Sequence, residues 1–318
     1  MRAYFSRRFI GAVPLLLGIA IISFVFMHAM PGGPSALYGK GRGITDEKRA
    51  QIRASMGLDQ LMPVQLGKWL LNLVRGDLGV SIIQNRPVGE IILERLEPTL
   101  RLVILAIALS IVLALVAGIS SALWRYSFID HAISALAFIG LAIPVFWLGL
   151  MLQLFFAVQL GWLPSAGMTD GPGSNTSFFA NIDRIILPAL TLALGTVGAW
   201  SRYIRTSMLE VINQDYIRTA RAKGLREVLV IMRHTLRNAL IPFVTVIAID
   251  IPFFLTGAVV TEKIFSWSGL GRLFFDALGS RDYPVLMGLL IYAAVLIVLA
   301  NILADLVYAW LDPRIKYK

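Results

Sequence analysis

The sequence predicts an all-α integral membrane protein with about six transmembrane helices. Of its 318 residues 57% are hydrophobic and only 15% are charged, and the mean hydropathy of +0.74 is too high for a soluble domain of ordinary makeup. A helix needs about 20 mostly apolar residues to cross a hydrocarbon core roughly 30 Å thick, and six windows of that kind occur. They are continuous apolar runs, not alternating ones, so barrel strands are disfavoured, and lipid admits no backbone that leaves its own polar groups unsatisfied.

The windows run over Phe9–Ala29, Leu102–Trp124, Ala132–Leu160, Ile185–Ser201, Asn238–Thr261 and Tyr283–Ala304. The first follows Arg2, Arg7 and Arg8, as a secretory signal would. Its apolar stretch is longer than a signal core and ends in Met30-Pro31-Gly32-Gly33-Pro34 with no small-residue cleavage pattern, so residues 1–30 are expected to be retained as terminus and first helix.

Residues 31–98 form the long connection that follows, close to neutral in charge. Pro63 can open a helix with Leu66, Trp69, Leu70, Leu73 and Val74 on one apolar face, and Gly76 can close it. A second short helix is expected after Pro87, with Val88, Ile91, Ile92 and Leu96 on one side. The pair predicts a small extracytoplasmic helical cap, followed by a core membrane domain over 99–318.

A net charge of +10 invites a nucleic-acid reading, but the placement of the charges favours membrane topology. With the N-terminus inside, the inner segments hold Arg2, Arg7, Arg8, Arg125, Arg202, Arg205, Arg218, Arg221, Lys223, Arg226, Arg233, Arg237, Arg314, Lys316 and Lys318. The short outer loops hold only Arg184, Lys263, Arg272 and Arg281. Both termini are therefore expected in the cytoplasm, with membrane lipid and not nucleic acid as the surrounding partner.

The inner loop 206–240 is too long and too patterned for a plain connector. Asp215 can cap a short helix, the small residues Thr219, Ala220 and Ala222 permit close approach of another surface, and Gly224 can supply a left-handed turn that ends it. A second helix then carries Val228, Leu229, Met232, Leu236 and Leu240 along one stripe. From the pattern alone, this elbow reads equally as a docking element or as a basic segment serving topology and anionic lipid.

Inside the membrane, Asp250 lies near the middle of the fifth window, where an acid is costly unless paired or facing water. Two readings stand: a position on a translocation path, contacting a cationic group of cargo, or a structural pair with Arg101 or with a residue of a partner subunit. Asn301 and Asp305 share one helix face and read as packing groups, and Gln153 as an amide bonding across to another helix. Pro144, Pro188, Pro242 and Pro252 can kink or start helices.

No cysteine is present, and His28, His131 and His234 are far apart, so no metal site is expected. No phosphate-binding Gly-x-x-x-x-Gly-Lys-Ser/Thr loop occurs, and Gly269-Leu270-Gly271-Arg272 lacks the strand-turn-helix context of a nucleotide fingerprint. No catalytic residue is expected, and an enzyme is the weakest class.

Several stretches resemble one family along nearly the whole chain. They are Met30-Pro31-Gly32, Gly76-Asp77-Leu78-Gly79 with Ser81, Glu94-Arg95-Leu96 with Pro98-Thr99, Phe265-Ser266-Trp267 with Gly269-Leu270-Gly271-Arg272, Arg281-Asp282-Tyr283-Pro284 and Leu311-Asp312-Pro313-Arg314. To these add Tyr216-Ile217-Arg218-Thr219-Ala220-Arg221-Ala222-Lys223-Gly224-Leu225 and the run from Arg233 to Pro242. The chain thus resembles permease subunits of ABC importers, in the dipeptide, oligopeptide and nickel branch. The general importer signature has Glu and Ala where Arg218 and Thr219 stand, Ile at His234 and Pro at Arg237; Ala220, Gly224 and Leu236 match it, and the peptide branch shares the departures.

The resemblance implies a type I ABC importer permease fold and a coupling helix over Tyr216–Leu225, seated in a cytosolic ATPase. It implies a second homologous permease, two ATPase subunits that carry ATP and Mg, and an extracytoplasmic substrate-binding protein. No cofactor is implied in this chain. Peptide is the cargo it favours, with nickel chelates, glutathione-like peptides and oligosaccharides as alternatives. A gradient-driven secondary transporter is disfavoured by the single long basic loop and the scarcity of intramembrane charge, and an assembly factor without transport is a third possibility.

Overall fold

The computed structural model describes residues 2–29, 59–168 and 181–311. Met30-Pro31-Gly32, the cap region up to residue 58, and Asp312-Pro313-Arg314 with Lys316 and Lys318 lie outside the described residues. In chain order the helices are α1 (Arg2–Ala29), α2 (Met62–Val74), α3 (Val88–Leu123), α4 (Phe128–Ala142) and α5 (Val145–Leu152), which runs on as a π-helical turn over Gln153–Gln159. Then follow α6 (Ile182–Ile212), α7 (Asp215–Ala222) and α8 (Glu227–Leu229). A second π-helical turn, Val230–Leu236, leads into α9 (Arg237–Ile264), and α10 (Leu270–Ser280) and α11 (Tyr283–Leu311) complete the order. An isolated antiparallel bridge joins Val80 and Pro87.

Among the described residues five helices are long and apolar enough to span a membrane, or six if α4 and α5 make one span. That agrees with the expected count, and the window Ala132–Leu160 is broken at Pro144, one of the prolines expected to kink or start a helix. The α4 and α5 axes differ by 109°. The cause is local: Pro144 has no N–H to donate, and Ile143 before it is extended, with φ −81° and ψ 125°.

Residues Met1–Glu97 with Gly269–Leu299, and Pro98–Ser268 with Ala300–Lys316, form two compact units. In the first, α2 has Pro63 in its first turn and Gly76, at φ +82°, just beyond its end, as expected. Leu66, Trp69, Leu70 and Leu73 are half-buried, but Val74 is 85% exposed and does not share their face. His28 Nε2 and the Gln65 side-chain amide are hydrogen-bonded at 3.0 Å, and the Trp69 and Phe24 rings are 5.8 Å apart, so α2 is held on the last turns of α1.

The short helix expected after Pro87 is instead the first part of α3, a 36-residue helix with Pro98 inside it. Membrane helices tolerate an internal proline when neighbours satisfy the backbone it disturbs. Val88, Ile91 and Ile92 are fully buried, packed with Leu273 and Ala277 of α10 and with Tyr283, Val285 and Leu286 of α11.

The core of the second unit joins Leu102, Val103 and Ala106 of α3 to Ile185, Ala189, Trp200, Ile204 and Met208 of α6 and to Phe243 and Phe254 of α9. In lipid the hydrophobic effect does not draw helices together, so van der Waals packing at close backbone approach and interhelical hydrogen bonds hold them. Glycine permits such an approach twice here. A Cβ on Gly118 of α3 would lie 2.7 Å from both Ile204 Cβ and the Ser201 carbonyl oxygen of α6, and one on Gly198 of α6 would lie 2.6 Å from the Ala137 carbonyl oxygen of α4. Gln153 differs from expectation: its amide donates to the Ser165 carbonyl in the loop after α5, not to another helix. Asn301 is half-buried, and the Asp305 side chain lies outside the described residues.

Candidate functional site

Residues 206–240 fold as an elbow. The first arm, α7, begins after Gln214, whose side chain makes no capping bond; Asp215 is the first helical residue and not the cap. Its carboxylate still lies where the helix dipole favours negative charge. The second face of the helix follows from spacing, since Ile217 and Ala220 are one turn apart and both pack on Val230.

Of the three small residues, Ala220 is therefore turned inward, against the chain itself. Tyr216, Arg218, Thr219, Arg221, Ala222, Lys223, Gly224 and Leu225 are exposed. Gly224 ends the arm at φ +76°, in the left-handed region that residues with a Cβ rarely adopt, and its N–H donates to the Arg221 carbonyl at 2.9 Å. Across the bend Arg221 Nη2 lies 2.7 Å from Glu227 Oε1. Hydrogen bonds from Arg221 to Glu227, with the charge of that carboxylate, push the Arg221 pKa above its ordinary value.

The second arm does not present one stripe. The π-helical turn Val230–Leu236 adds a residue to the repeat, so Val230, Thr235 and Ala239 are the buried positions. Leu236 and Leu240 pack on the core of the second unit, whereas Val228 and Met232 are 73% and 55% exposed. The elbow thus carries Tyr216, Leu225, Val228 and Met232 as exposed apolar groups beside Arg218 and Lys223.

Asp250 accepts a hydrogen bond from Trp200 Nε1 at 2.7 Å. Its partner is a buried indole on α6 and not Arg101. Trp200 is fixed in turn by the rings of Phe243 at 5.5 Å and Phe254 at 5.7 Å. An aspartate carried on α9 is thereby tied to α6, with its carboxylate half-buried.

Sequence reasoning missed a stronger polar centre at Asp130. Arg205 Nε and Nη2 donate to its two oxygens at 2.8 and 2.7 Å, the Tyr126 N–H donates at 2.9 Å, and Ser121 Oγ donates as well. Arg205 figured in the sequence only as a topological charge. The available signal was Ser127-Phe128-Ile129-Asp130, a capping pattern ahead of an apolar run; Ser127 Oγ accepts from the Asp130 N–H.

The structure also brings separated motifs together within each unit. Ser81 Oγ donates to Asp282 Oδ2, and the Ile82 N–H donates to Oδ1 at 3.2 Å. Thr99 Oγ1 donates to the fully buried Glu262 at 2.6 Å, and Trp267 Nε1 donates to the Pro98 carbonyl at 2.9 Å. Among the described residues no group of three or more potential ligands could hold a metal ion.

The family described as binding-protein-dependent transport system inner membrane component matches residues 110–317, and the corresponding N-terminal family matches residues 1–103. The chain is 46% identical over 320 residues to the oligopeptide transport system permease protein AppB of Bacillus subtilis, with all of both chains covered. It is 40% identical over 318 residues to the glutathione transport system permease protein GsiC of Pectobacterium atrosepticum, again over the full length of both. Its fold is similar to that of a chain of the inward-facing MetNI methionine ABC transporter, with a TM-score of 0.57, 17% identity, and 70% of this chain and 96% of that one covered. Matched by family models over nearly its whole length, the chain belongs to the inner membrane component family of binding-protein-dependent transport systems and is a multi-pass transport permease with the type I ABC importer fold.

Proposed function

We propose that this permease imports di- and oligopeptides, with ATP hydrolysis performed by partner subunits. Full-length identity of 46% to an oligopeptide permease supports the cargo. The elbow at Gly224 supports the coupling: a short helix and the turn that ends it expose Tyr216, Arg218, Thr219, Arg221, Ala222, Lys223 and Leu225, while Ile217 and Ala220 anchor the helix on the following arm. A rigid arm with an exposed apolar and basic face can transmit a push that an unanchored loop would dissipate.

In this reading Tyr216–Leu225 seats in a groove of a cytosolic ATPase. The assembly contains a second homologous permease, two ATPases and an extracytoplasmic binding protein that delivers cargo. Both termini and the elbow lie in the cytoplasm, and the segment containing α2 lies outside. Asp250, tied to Trp200, acts on α6–α9 packing ahead of any contact with cargo.

The test is uptake of labelled peptide in proteoliposomes holding the whole complex. Vanadate-sensitive, ATP-dependent uptake is expected, and Gly224→Val is expected to insert normally while abolishing uptake and substrate-stimulated hydrolysis. Gradient-driven uptake by this chain alone would overturn the reading. The glutathione permease relative, at 40% identity, favours a second cargo, and competition between labelled glutathione and unlabelled peptides distinguishes the two.

A further inference from the structure

We propose that Asp130 and Arg205 are positioning residues that make the α3–α4 turn move with the inner half of α6, so that a displacement of α7 reaches the bent α4–α5 pair. The inference rests on the coupling reading above and names the route within the second unit.

Asp130 is 3% exposed and accepts from four donors: Arg205 twice, the Tyr126 N–H and Ser121 Oγ. These donors come from the last turns of α3, from the turn after it and from α6, so a single carboxylate ties three successive pieces of chain to a fourth. The fork of Arg205 fixes angle as well as distance, which a lysine ammonium cannot do. Removing one partner leaves a buried charge, yet an apolar pair of similar volume stabilises a fold about as well. The pair is therefore better explained by the geometry it enforces than by stability alone.

Two further observations fit that role. Tyr126, whose N–H the carboxylate holds, has φ +63°, a strained conformation for a residue with a side chain. Gly118 and Gly198 bring α3 and α4 into backbone contact with α6, so the three helices form a stiff wedge with the ion pair near its inner end. Arg205 is ten residues before Asp215, where α7 starts, and α4 leads directly to the 109° bend at Pro144. Pushed at α7, a wedge locked in this way turns as one piece. Unlocked at Asp130, α6 can shift while the α3–α4 turn stays behind.

The test uses the complete complex with its ATPases and binding protein in proteoliposomes, comparing wild type, Asp130→Asn, Arg205→Lys and the milder Ser121→Ala. The readout is ATP hydrolysed per labelled peptide imported, alongside the amount of assembled complex. Asp130→Asn and Arg205→Lys are expected to keep hydrolysis per complex within about twofold while uptake falls about tenfold, and Ser121→Ala to fall between these variants and wild type. If hydrolysis and uptake fall together in proportion to assembled complex, or if both stay at wild-type levels, the positioning role is overturned. If the wild-type complex shows no ATP-driven peptide uptake, it is the coupling reading itself that fails.

Discussion

The indole N–H of Trp200 on α6 donates to the carboxylate of Asp250 on α9, 50 residues later, across 2.7 Å. This one bond decides how an acid in the middle of a membrane helix is accommodated. Trp200→Phe keeps the ring and removes the donor, leaving the carboxylate without it. The expected cost is about 1–3 kcal/mol, seen as a lower unfolding temperature of the purified complex. Asp250→Asn, which still accepts from the indole, is expected to cost less and to leave the relative uptake of cationic and neutral peptides unchanged. A changed preference would place Asp250 on the path instead.

Asp282 receives the Ser81 hydroxyl and the backbone N–H groups of Ile82 and Ile83. Ser81→Ala removes one donor, with an expected loss of about 1 kcal/mol. Asp282→Ala orphans all three and is expected to cost roughly 3 kcal/mol, together with protease sensitivity in the Gly79–Pro87 loop. Equal effects of the two substitutions would contradict the arrangement.

The backbone approaches at Gly118 and Gly198 leave no room for a methyl group. Gly198→Ala and Gly118→Ala are each expected to destabilise by about 1–3 kcal/mol through overpacking. Gly11→Ala, whose added Cβ would meet nothing within 4 Å, serves as the control and is expected to be neutral or slightly stabilising. Thermal melts of the three variants in the same detergent give the ranking.

At Gly224 an added Cβ also meets nothing within 4 Å, so the cost of substitution comes from the backbone angle alone. Gly224→Ala is expected to lose about 1 kcal/mol, and Gly224→Asn, which tolerates the left-handed region better, less than that. If the bend matters for transport, uptake follows the same order of Gly, Asn, Ala, Val. Identical uptake by all four would separate the bend from transport.

The exposed Arg221–Glu227 pair closes the same elbow, with side chains 39% and 55% exposed. Glu227→Gln is therefore expected to change stability by less than about 1 kcal/mol and to matter less in high salt. A larger effect, measured by denaturation at two salt concentrations, would mean that the pair is shielded by a partner in the complex.

Much of the architecture follows from the order of residues alone. Hydrocarbon thickness sets a minimum length for a span, so the long apolar runs locate the membrane helices but not all their ends: α3 begins at Val88, 14 residues before its window, and α6 runs to Ile212, 11 residues past its own. The left-handed preference of glycine marks the end of α7 at Gly224 and the close of α2 at Gly76, because backbone sterics act locally. The motifs around Tyr216, Phe265 and Arg281 carried the family likeness that full-length comparison then established.

What the sequence could not reveal is every choice of partner across distance. Pro144 was visible as a breaker, yet whether it kinks or reverses a helix depends on what packs beside it, and the angle is 109°. The register of the second arm depends on a π-helical turn over Val230–Leu236, whose extra residue no 3.6-residue periodicity anticipates. Asp130 was one acid among many until folding brought Arg205 to it from 75 residues away. Local rules set where helices start and stop; the pairing of buried polar groups is decided only when helices far apart in sequence come to lie side by side, since each such group must then find its partner or bear its full desolvation cost.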